Sequence, residues 1–489
     1  MRICISLTDG TTAELVDRLI DLAPVADLFE IRADLVSDLD MLTILRARTR
    51  PLVFTCLPRS EGGRWPDDDP NRRLRLLEAV KRGFDYVDVN LRSDYMDVML
   101  EKAGRGLIVS YHALDGMPDD LSGLMASMRE RGADIAKIAA RPRTLAEVGR
   151  LLAFAQSVAE CGGIPLIPIA MGPLGLPTRL LGGRCGVPFT FAAATAGAEA
   201  APGQIAAARM AGVFRAREIR PATLVYGIVG QGVADALSPA LHNAAFAACA
   251  LDAVQVPLEA DSLDSFTAAL PGLRLAGFGV TRPYRTEFVP RMHEIDESAT
   301  ACGSVDTVTL RDGRLCGATT HGVGLIAALS QRIDPSGKRV AIVGAGGAAR
   351  AAAGALKRRG AVVTIVSRRP EQAREVARVL DCTSADLAMF ARCEWDVLIN
   401  ATTVGSSLLP EQSPVPAATL REGALVLDLV CVPRATPLLR EARTRGCMVV
   451  DGGEILLGQA AAQFEIWTGR AAPVGIMRSA LENALGAAV

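Results

Sequence analysis

The chain has 489 residues, more than a single hydrophobic core organises, so two to four domains are expected. Half of the residues are hydrophobic and only 4% are aromatic, a composition typical of α/β proteins rich in Ala, Val and Leu. The 53 Lys and Arg residues almost balance the 54 Asp and Glu residues, which argues against a nucleic acid or a membrane surface as the main partner.

No apolar stretch reaches transmembrane length, and the apolar run at Met1–Leu7 is too short for a signal peptide. The 11 cysteines are odd in number and lack paired CxxC spacing, which argues against a disulfide framework or a zinc site. These features predict a cytoplasmic protein with reduced thiols and no bound metal.

Short apolar segments alternate with helical patterns through the first half of the chain. Strands are predicted at Arg2–Leu7, Leu28–Leu35, Pro51–Leu57, Tyr86–Leu91, Gly106–Ala113, Asp134–Ala139, Pro165–Met171 and Pro188–Ala193. The predicted helices include Thr12–Leu22, Asn71–Arg82, Leu121–Arg131, Leu145–Cys161 and Gln204–Val213. Eight strand-then-helix units predict a closed (β/α)8 barrel, with an open doubly wound sheet as the structural alternative.

Polar side chains stand at or just after the ends of these strands, and in a barrel such positions gather at one mouth. They are Glu30, Arg32, Glu61, Asp88, His112, Lys137, Arg179 and Gln204, and the apolar Met171 joins them after the seventh strand. Each has an ordinary explanation, such as a structural ion pair or a core histidine. Together, a lysine, a histidine and a glutamate with an arginine nearby describe amine catalysis on a ketone acid.

Lys137 stands inside an apolar run of strand character, Gly132–Ala140. Its stem could pack against the core while the ammonium reaches water. Alternatively, it is a desolvated amine of lowered pKa that attacks a ketone and forms a Schiff base. This stretch alone favours the first interpretation, and the surrounding polar set favours the second.

Several motifs of residues 1–216 resemble type I 3-dehydroquinate dehydratase. They are Phe29–Asp34, Glu61–Gly63, Ser110–His112, Ala136–Ala139, Met171–Gly172 followed by Arg179, and Ala201–Gln204. The resemblance implies that Lys137 forms an imine with the substrate ketone, while His112, tuned by Glu61, moves the protons. It implies that Arg179 and Gln204 hold the substrate carboxylate. Glu30, Arg32 and Met171 would be further substrate contacts.

The barrel half departs from that family at three positions. Leu57 stands where the family has an arginine, and the nearby Arg59 is a candidate replacement. Ala200 replaces a serine of the last loop, and Asn90 replaces a carboxylate on the fourth strand. These departures concern substrate affinity more than the chemistry.

A glycine-rich loop follows a strand in the second half, after a polar linker at 215–221. Arg339–Val343 leads into a GxGxxA pattern that starts at Gly344 and opens an Ala-rich helix. This context predicts a dinucleotide site with the pyrophosphate at the helix N-terminus. Arginines after the next strand favour the 2′-phosphate of NADP over NAD. The predicted cofactor contacts are Gly344, Gly346, Gly347, Ala348, Ser367, Arg368, Arg369, Ala401 and Thr402.

The second half resembles shikimate dehydrogenase over residues 223–489. The motifs are Leu237–Pro239 with His242-Asn243, Val280-Thr281, the glycine loop, Asn400–Thr402, Thr436–Leu439 and Gly453–Gln459. The resemblance implies a substrate lobe at 222–335, completed by 450–489, and an NADP-binding Rossmann lobe at 336–449. Its substrate contacts would be Ser238, Thr281, Asp306 and Gln459.

The expected catalytic pair of this family is replaced. Arg285 stands at the position of the lysine, and His321 at that of its aspartate. Ala236, Gly279 and Asp306 replace a serine and two asparagines. Arginine stays protonated but stabilises an alkoxide, while a histidine titrating near neutrality could carry the proton.

The predicted architecture is a (β/α)8 barrel followed by a two-lobed α/β unit. The predicted function is bifunctional: dehydration of 3-dehydroquinate to 3-dehydroshikimate, then NADPH-linked reduction to shikimate, with a homodimer as a possible assembly. Three hypotheses remain for the second half. Arg285 and His321 could serve shikimate as a variant pair, the domain could act on another small hydroxy acid, or it could bind NADP as an inactive regulator or scaffold.

Overall fold

A computed structural model describes residues 1–95, 98, 101 and 106–486. The chain forms two compact units. The barrel unit comprises Met1–Val225 and Asp252–Arg274, and the second unit comprises Tyr226–Leu251 and Leu275–Val489. Within the described ranges, every helix is too short or too polar to cross a bilayer.

Eight parallel strands form the centre of the barrel unit. They are β1 (Arg2–Leu7), β2 (Leu28–Arg32), β3 (Leu52–Thr55), β4 (Tyr86–Asn90), β5 (Leu107–Ala113), β6 (Ile135–Ala140), β7 (Leu166–Ala170) and β8 (Phe189–Ala193). Their order is β7-β6-β5-β4-β3-β2-β1-β8, so every strand from β1 to β6 neighbours the next in sequence and β8 pairs with β1. The order has no reversal, which excludes the doubly wound alternative and confirms the nearly closed barrel.

Near-continuous apolar runs make these strands, as expected for a parallel sheet covered on its outer face by helices. The helices of this unit are Thr12–Asp21, Met41–Arg46, Asn71–Arg82, Leu121–Glu130, Leu145–Cys161, Leu176–Leu181, Ala207–Gly212 and Leu263–Leu273. The predicted start at Gln204 is three residues early. The Gln204 side chain instead accepts a hydrogen bond from the Ala200 amide at 2.8 Å, which keeps this segment in a loop.

Residues 252–274 belong to the barrel unit, although they lie inside the predicted 222–335 lobe. The segment contains β10 (Ala253–Glu259) and the helix Leu263–Leu273, which packs on helix Leu145–Cys161. Gly149 and Gly272 let the two backbones touch, because a Cβ at either position would collide with the other helix. The predicted boundaries at 216, 222, 335 and 449 stay predictions.

The second unit contains a mixed sheet and a parallel sheet. The mixed-sheet strands of this unit are β9 (Leu224–Gly230), β11 (Leu275–Val280), β12 (Glu294–Ile295), β13 (Thr307–Arg311) and β14 (Arg314–Ala318). They follow the order β9-β11-β13-β14-β12. The helices of this unit are Ser238–Ala248, Glu297–Cys302, His321–Ser330, Gly347–Arg358, Pro370–Leu380, Pro437–Thr444, Gly452–Thr468 and Val474–Gly486.

Six strands form the parallel sheet. They are β15 (Arg339–Val343), β16 (Val362–Ser367), β17 (Thr383–Asp386), β18 (Val397–Asn400), β19 (Leu425–Asp428) and β20 (Met448–Val450), in the order β17-β16-β15-β18-β19-β20. Counted along the chain, this is the 3-2-1-4-5-6 order of a Rossmann fold, whose crevice opens between β15 and β18. Apolar cores cover both faces of the sheet.

Candidate active sites

Lys137 lies on β6 with its ammonium inside the barrel. Its Nζ is 2.7 Å from Asp88 Oδ2 on β4, and both side chains are buried. Nζ also lies 4.7 Å from the centre of the Phe191 ring. Burial by itself would lower the pKa of Lys137, but the attraction of Asp88 and Glu30 outweighs it and raises the pKa. The predicted lowering is therefore wrong, because the sequence did not reveal the Asp88 pairing.

His112 is the penultimate residue of β5 and lies beside a second carboxylate. Its Nδ1 lies 2.9 Å from Glu61 Oε2, and both side chains are buried. Glu61 ends a single 3-10 turn, Arg59–Glu61, that follows β3. A carboxylate at Nδ1 fixes the imidazole so that Nε2 is left to exchange a proton with a bound molecule.

Arg179 is a buried cation whose described hydrogen-bond partners are uncharged. It is 1% exposed, and its guanidinium donates only to the carbonyls of Phe191 (3.4 Å) and Pro202 (3.2 Å). Burial lowers the pKa of Arg179 to about 10, although Glu30 opposes the shift. A desolvated guanidinium with unused donor capacity is suited to a carboxylate or phosphate ligand.

One cavity of about 100 Å³ joins these groups. Glu30 accepts hydrogen bonds from Ser6 (2.6 Å) and Thr55 (2.8 Å), and Arg32 makes a two-bond contact with Asp34 at 2.8 and 2.9 Å. The structure therefore pairs Glu30 and Arg32 with other residues and not with each other. The predicted side chains that line the cavity are Glu30, Arg32, Glu61, His112, Lys137, Met171, Arg179 and Gln204.

The glycine loop of the second unit has the geometry of a dinucleotide site. Gly344 has φ +123°, which favours glycine, and Gly346 precedes the helix Gly347–Arg358. A Cβ at Gly346 would stand in open space, which is the room that a pyrophosphate needs above the helix N-terminus. Gly347 instead packs against the Cβ of Arg285, while Ala348 lies in the first turn of the helix. The loop thus fits the predicted cofactor.

Arg368 and Arg369 are exposed directly after β16, next to the buried Ser367. The Ser367 hydroxyl accepts a hydrogen bond from the Arg369 amide at 3.1 Å, which orders this turn. Across the crevice, Thr402 donates from its amide (3.0 Å) and hydroxyl (2.7 Å) to Asn400 Oδ1, and Ala401 lies between them. These positions leave both arginines free to reach a ribose phosphate.

Asp306 is completely buried and serves as a hub for the chain's own donors. Its oxygens accept from Thr320 N and Oγ1, Thr319 Oγ1, Thr307 Oγ1 and His321 N, all at 2.7–2.9 Å. Burial alone would raise the pKa of Asp306, but the charge of Arg285 and the hydrogen bonds of Thr320 lower it. The carboxylate therefore stabilises the N-terminus of helix His321–Ser330.

His321 and Arg285 both interact with the Asp306 carboxylate, His321 through its amide and Arg285 through its charge. His321 Nδ1 is 3.0 Å from Gln459 Oε1, and His321 Nε2 is buried without a hydrogen-bond partner in the described chain. Burial, together with the charge of Arg285, lowers the pKa of His321 to about 4. Burial likewise lowers the pKa of Arg285, whose Nε donates to the Val280 carbonyl at 3.0 Å. The predicted titration of His321 near neutrality is therefore wrong.

Two other predicted contacts lie on nearby elements. Ser238 begins the helix Ser238–Ala248, and its hydroxyl is 3.2 Å from His242 Nδ1. Thr281 follows β11, where its amide donates to the Val229 carbonyl at 2.9 Å. The side chains of Gln459 and His321 thus form one hydrogen bond, and the His321 amide donates a second one to Asp306. No described group of three or more His, Cys, Asp or Glu side chains is placed to hold a metal ion.

Family models match most of the chain. The model described as type I 3-dehydroquinase matches residues 3–221. The models of the shikimate dehydrogenase substrate binding domain and of shikimate / quinate 5-dehydrogenase match residues 228–308 and 327–443. The model of the shikimate 5'-dehydrogenase C-terminal domain matches residues 452–482.

A chloroplastic protein of Arabidopsis thaliana contains both parts in one chain. This bifunctional 3-dehydroquinate dehydratase/shikimate dehydrogenase is 35% identical over 477 residues, which cover 92% of the chain studied and 78% of the plant protein. The chain belongs to the bifunctional 3-dehydroquinate dehydratase/shikimate dehydrogenase family.

The dehydrogenase half also has single-domain relatives. A shikimate dehydrogenase (NADP(+)) of Moorella thermoacetica is 38% identical over 285 residues, covering 55% of this chain and 96% of that protein. A crystal structure of shikimate 5-dehydrogenase from Thermus thermophilus with NADP(H) and shikimate has 31% identity and a TM-score of 0.50. It covers 54% of this chain and 100% of that one.

The predicted residues of the dehydratase half line one cavity despite the departures at Leu57 and Asn90. Leu57 lines the cavity, whereas Arg59 is exposed and is not among the described residues that line it. Arg59 is therefore poorly placed to replace the family arginine. Asn90 donates to Glu61 Oε1 at 2.9 Å, so it contacts the carboxylate that pairs with His112.

Sequence reasoning missed two contacts of the dehydratase site. Asp88 and Asn90 stand two apart on β4, so alternation places both on the inner face. That spacing could have placed Asp88 on the inner face of the barrel, but it does not reveal the pairing with Lys137 on β6. Arg72 reaches Asn90 from the helix Asn71–Arg82, and no sequence pattern indicates this contact.

Replacing Arg179 by methionine tests whether this cation is kept for a ligand. We expect KM for the carboxylate substrate to rise by about 10- to 100-fold, because a charged hydrogen bond contributes about 1.5–3 kcal/mol. We also expect the free energy of unfolding to rise by about 1–4 kcal/mol, since an unpaired buried charge is removed. Steady-state kinetics and urea unfolding measure the two effects, with the exposed Arg141→Met as the control. Loss of stability with an unchanged KM would contradict a ligand-binding role.

Proposed function

We propose that the barrel dehydrates 3-dehydroquinate to 3-dehydroshikimate through a Schiff base on Lys137. The observation that carries this proposal is a buried amine, 2.7 Å from Asp88, in the same cavity as the His112–Glu61 pair and Arg179. The cavity thus combines a nucleophile, an acid–base group and an anion site. The family membership supports the same chemistry.

The steps follow from these positions. The Lys137 ammonium loses one proton and its amine attacks the ketone carbon; that proton and a second one from the same nitrogen leave with the ketone oxygen as water when the iminium forms. Asp88 then faces a cation in place of the ammonium, so the charge balance of the site is preserved. His112 Nε2 takes the α proton, and the resulting imidazolium protonates the β-hydroxyl, which leaves as water. Hydrolysis of the imine releases the product and restores Lys137.

The second unit, in the same proposal, reduces 3-dehydroshikimate to shikimate with NADPH. Gly346, Gly347 and Ala348 would hold the pyrophosphate at the helix N-terminus, and Arg368 with Arg369 the 2′-phosphate. When bound, NADPH supplies a hydride to the substrate carbonyl carbon. Ser238, Thr281 and Gln459 would orient the substrate.

In this proposal, Arg285 and His321 share the role of the lysine that the family has at position 285. Arg285 stays protonated and stabilises the negative oxygen that forms during hydride transfer. Neutral His321, oriented by Gln459, accepts the hydroxyl proton at Nε2 when shikimate is oxidised. In the reduction, Nε2 first takes a proton from solvent and passes it to the oxygen that Arg285 stabilises. The unpartnered Nε2 atom supports this role because a buried acceptor without a partner is costly unless a ligand pairs with it.

A second candidate function concerns only this unit. Ala236 and Gly279 remove two polar contacts of the family, and Asp306 has its oxygens occupied by the chain. These features favour a different small hydroxy acid as the substrate, or NADP binding without turnover.

We further propose that the protein is a cytoplasmic homodimer and that its ligands are small molecules alone.

Incubating the purified chain with 3-dehydroquinate tests both proposed activities. We expect 3-dehydroshikimate to form without cofactor, and NADPH to be consumed one for one as shikimate appears. Dehydration without NADPH consumption would reject shikimate as the second product. A panel of small hydroxy acids with NADP would then separate a changed substrate from an inactive cleft.

Arg368→Ala tests the predicted preference for NADP. We expect NADP binding to weaken by about 10-fold or more and NAD binding to change little, because the lost guanidinium contacts only the 2′-phosphate. Fluorescence titration with both nucleotides measures the difference, and the exposed Arg374→Ala on the following helix is the control. Equal losses for both nucleotides would reject the phosphate contact.

A further inference from the structure

A buried hydrogen-bonded chain leads from the helix Asn71–Arg82 to His112. Arg72 Nη1 donates to Asn90 Oδ1 at 2.8 Å, and Asn90 Nδ2 donates to Glu61 Oε1 at 2.9 Å. Glu61 Oε2 then lies 2.9 Å from His112 Nδ1. We name these four hydrogen-bonded side chains, Arg72, Asn90, Glu61 and His112, the Arg72 relay. Each of them is at most 6% exposed. Water is therefore a poor substitute for any of these bonds.

The donors and acceptors of the relay permit one arrangement. Arginine has only donors, so Asn90 must turn its oxygen towards Arg72 and its amide NH2 towards Glu61. Ser93 supports this orientation, since it accepts from Arg72 Nη2 at 2.7 Å and donates to Asn90 Oδ1 at 2.6 Å. An ionised Glu61 is an acceptor only, so His112 carries its proton on Nδ1. Nε2 is then the base that faces the substrate.

The relay also accounts for two departures from the family pattern. Leu57 and Asn90 replace an arginine and a carboxylate, so one positive and one negative charge are absent together. Arg72 reaches this same region, because its Nη1 also donates to the carbonyl of Cys56 at 3.2 Å. Its guanidinium further lies 5.0 Å from the Tyr95 ring. Arg72 thus supplies a cation behind the Glu61–His112 pair.

We propose that Arg72 is a positioning residue for the dehydratase: through Asn90, it holds Glu61 and His112 in the tautomer that proton transfer requires. The proposal deepens the proposed dehydratase function and rests on it. A purely structural role would only fasten the helix Asn71–Arg82 to β4. The two roles differ in what the loss of Arg72 does to kcat and to its pH dependence.

Charged groups surround His112 from several elements. The carboxylates of Glu61 and Asp88 lie on the turn after β3 and on β4, and the cations of Lys137 and Arg72 lie on β6 and on the helix Asn71–Arg82. The other charged side chains that line the cavities next to His112 are Glu30, Arg32, Arg92, Asp115, Asp119, Arg143, Glu147 and Arg179. A substitution at Arg72 changes one contribution and leaves these in place.

The test compares Arg72→Met with Arg72→Lys in the full chain. For Arg72→Met we expect kcat to fall by roughly 10-fold or more, part of the 10²–10⁴ that a positioned acid–base group contributes, with KM nearly unchanged. The acid limb of the kcat profile should move to higher pH, because removing a cation favours the imidazolium. Arg72→Lys keeps the charge but loses the fork, so kcat should fall without a shift of that limb. Arg75→Met, on the same helix and partly exposed, is the control.

An unchanged kcat and acid limb in a less stable Arg72→Met would overturn the proposal in favour of a structural role. Should Arg72→Met fail to fold, Asn90→Asp decides: a carboxylate beside Glu61 should move the limb to higher pH, and an unmoved limb overturns the proposal. If the wild type does not dehydrate 3-dehydroquinate, the proposed function fails. NMR titration of the chain's four histidines then tests the relay alone, since the His112 midpoint should be higher in Arg72→Met than in the wild type, Arg72→Lys and Arg75→Met. Equal midpoints would reject it.

Discussion

Lys137→Ala is expected to abolish dehydration, with kcat reduced by at least about 10⁴-fold, because no covalent intermediate can form without the amine. The remaining arginine and histidine would still bind and polarise the substrate, so residual binding is expected. Isothermal titration of the variant with 3-dehydroquinate and a discontinuous turnover assay measure the two quantities. Lys81→Ala, on the surface of the same unit, is the control.

Borohydride provides the direct test of the covalent step. Reduction during turnover should attach the substrate to the wild type at Lys137, and mass spectrometry should find no adduct in Lys137→Ala. NADP binding should be equal in both proteins, because the nucleotide loop belongs to the other unit. Turnover by the variant, or a wild type that is never trapped, would reject the Schiff base.

Arg285→Met is expected to change the pH dependence of the dehydrogenase in a defined direction. His321 accepts a proton only when neutral, and its pKa of about 4 keeps it neutral at ordinary working pH. Shikimate oxidation by the wild type should therefore lose activity only as the pH falls towards about 4. Removing Arg285 removes one cause of the lowered pKa of His321. The acid limb of the pH–activity profile should therefore move to higher pH, towards the ordinary histidine pKa of about 6.5.

The same substitution should also lower kcat by about 10²-fold, because the developing alkoxide loses its cation. The exposed Arg282→Met in the same loop is the control, and activity regained on return to neutral pH excludes acid unfolding. A wild-type limb near neutrality, or an identical limb in both proteins, would contradict the assigned roles. If shikimate is not a substrate, NMR titration of His321 measures the same shift without turnover.

Some of the site was readable from residue order alone. Lys137 is a single cation in an apolar strand, and Glu30 and Arg32 share a face because strand side chains alternate. The glycine loop was readable because Gly344 and Gly346 stand directly between an apolar strand and an Ala-rich helix. In each case the signal is local, so neighbours in sequence are enough to define it.

The contacts that set the chemistry were not readable in this way. Lys137 pairs with Asp88, which is 49 residues away in the sequence. Asp306 accepts a hydrogen bond from the amide of His321, which is 15 residues away. Such contacts depend on how strands and helices pack, so the pKa values of Lys137 and His321 could not be inferred from sequence. Helix Leu263–Leu273 is a similar case, since only packing assigns it to the barrel unit.

The sequence by itself determined the strand-and-helix alternation and the order of the two enzymatic halves, and it predicted the main reactive groups. These follow from apolar periodicity, glycine conformation and the chemistry of individual side chains. The tertiary structure alone decided that Lys137 is held as an ammonium by Asp88, that His321 is neutral, and that Arg72 lies behind Glu61 and His112. Protonation and orientation depend on desolvation and on partners distant in sequence, and only the folded chain brings these together.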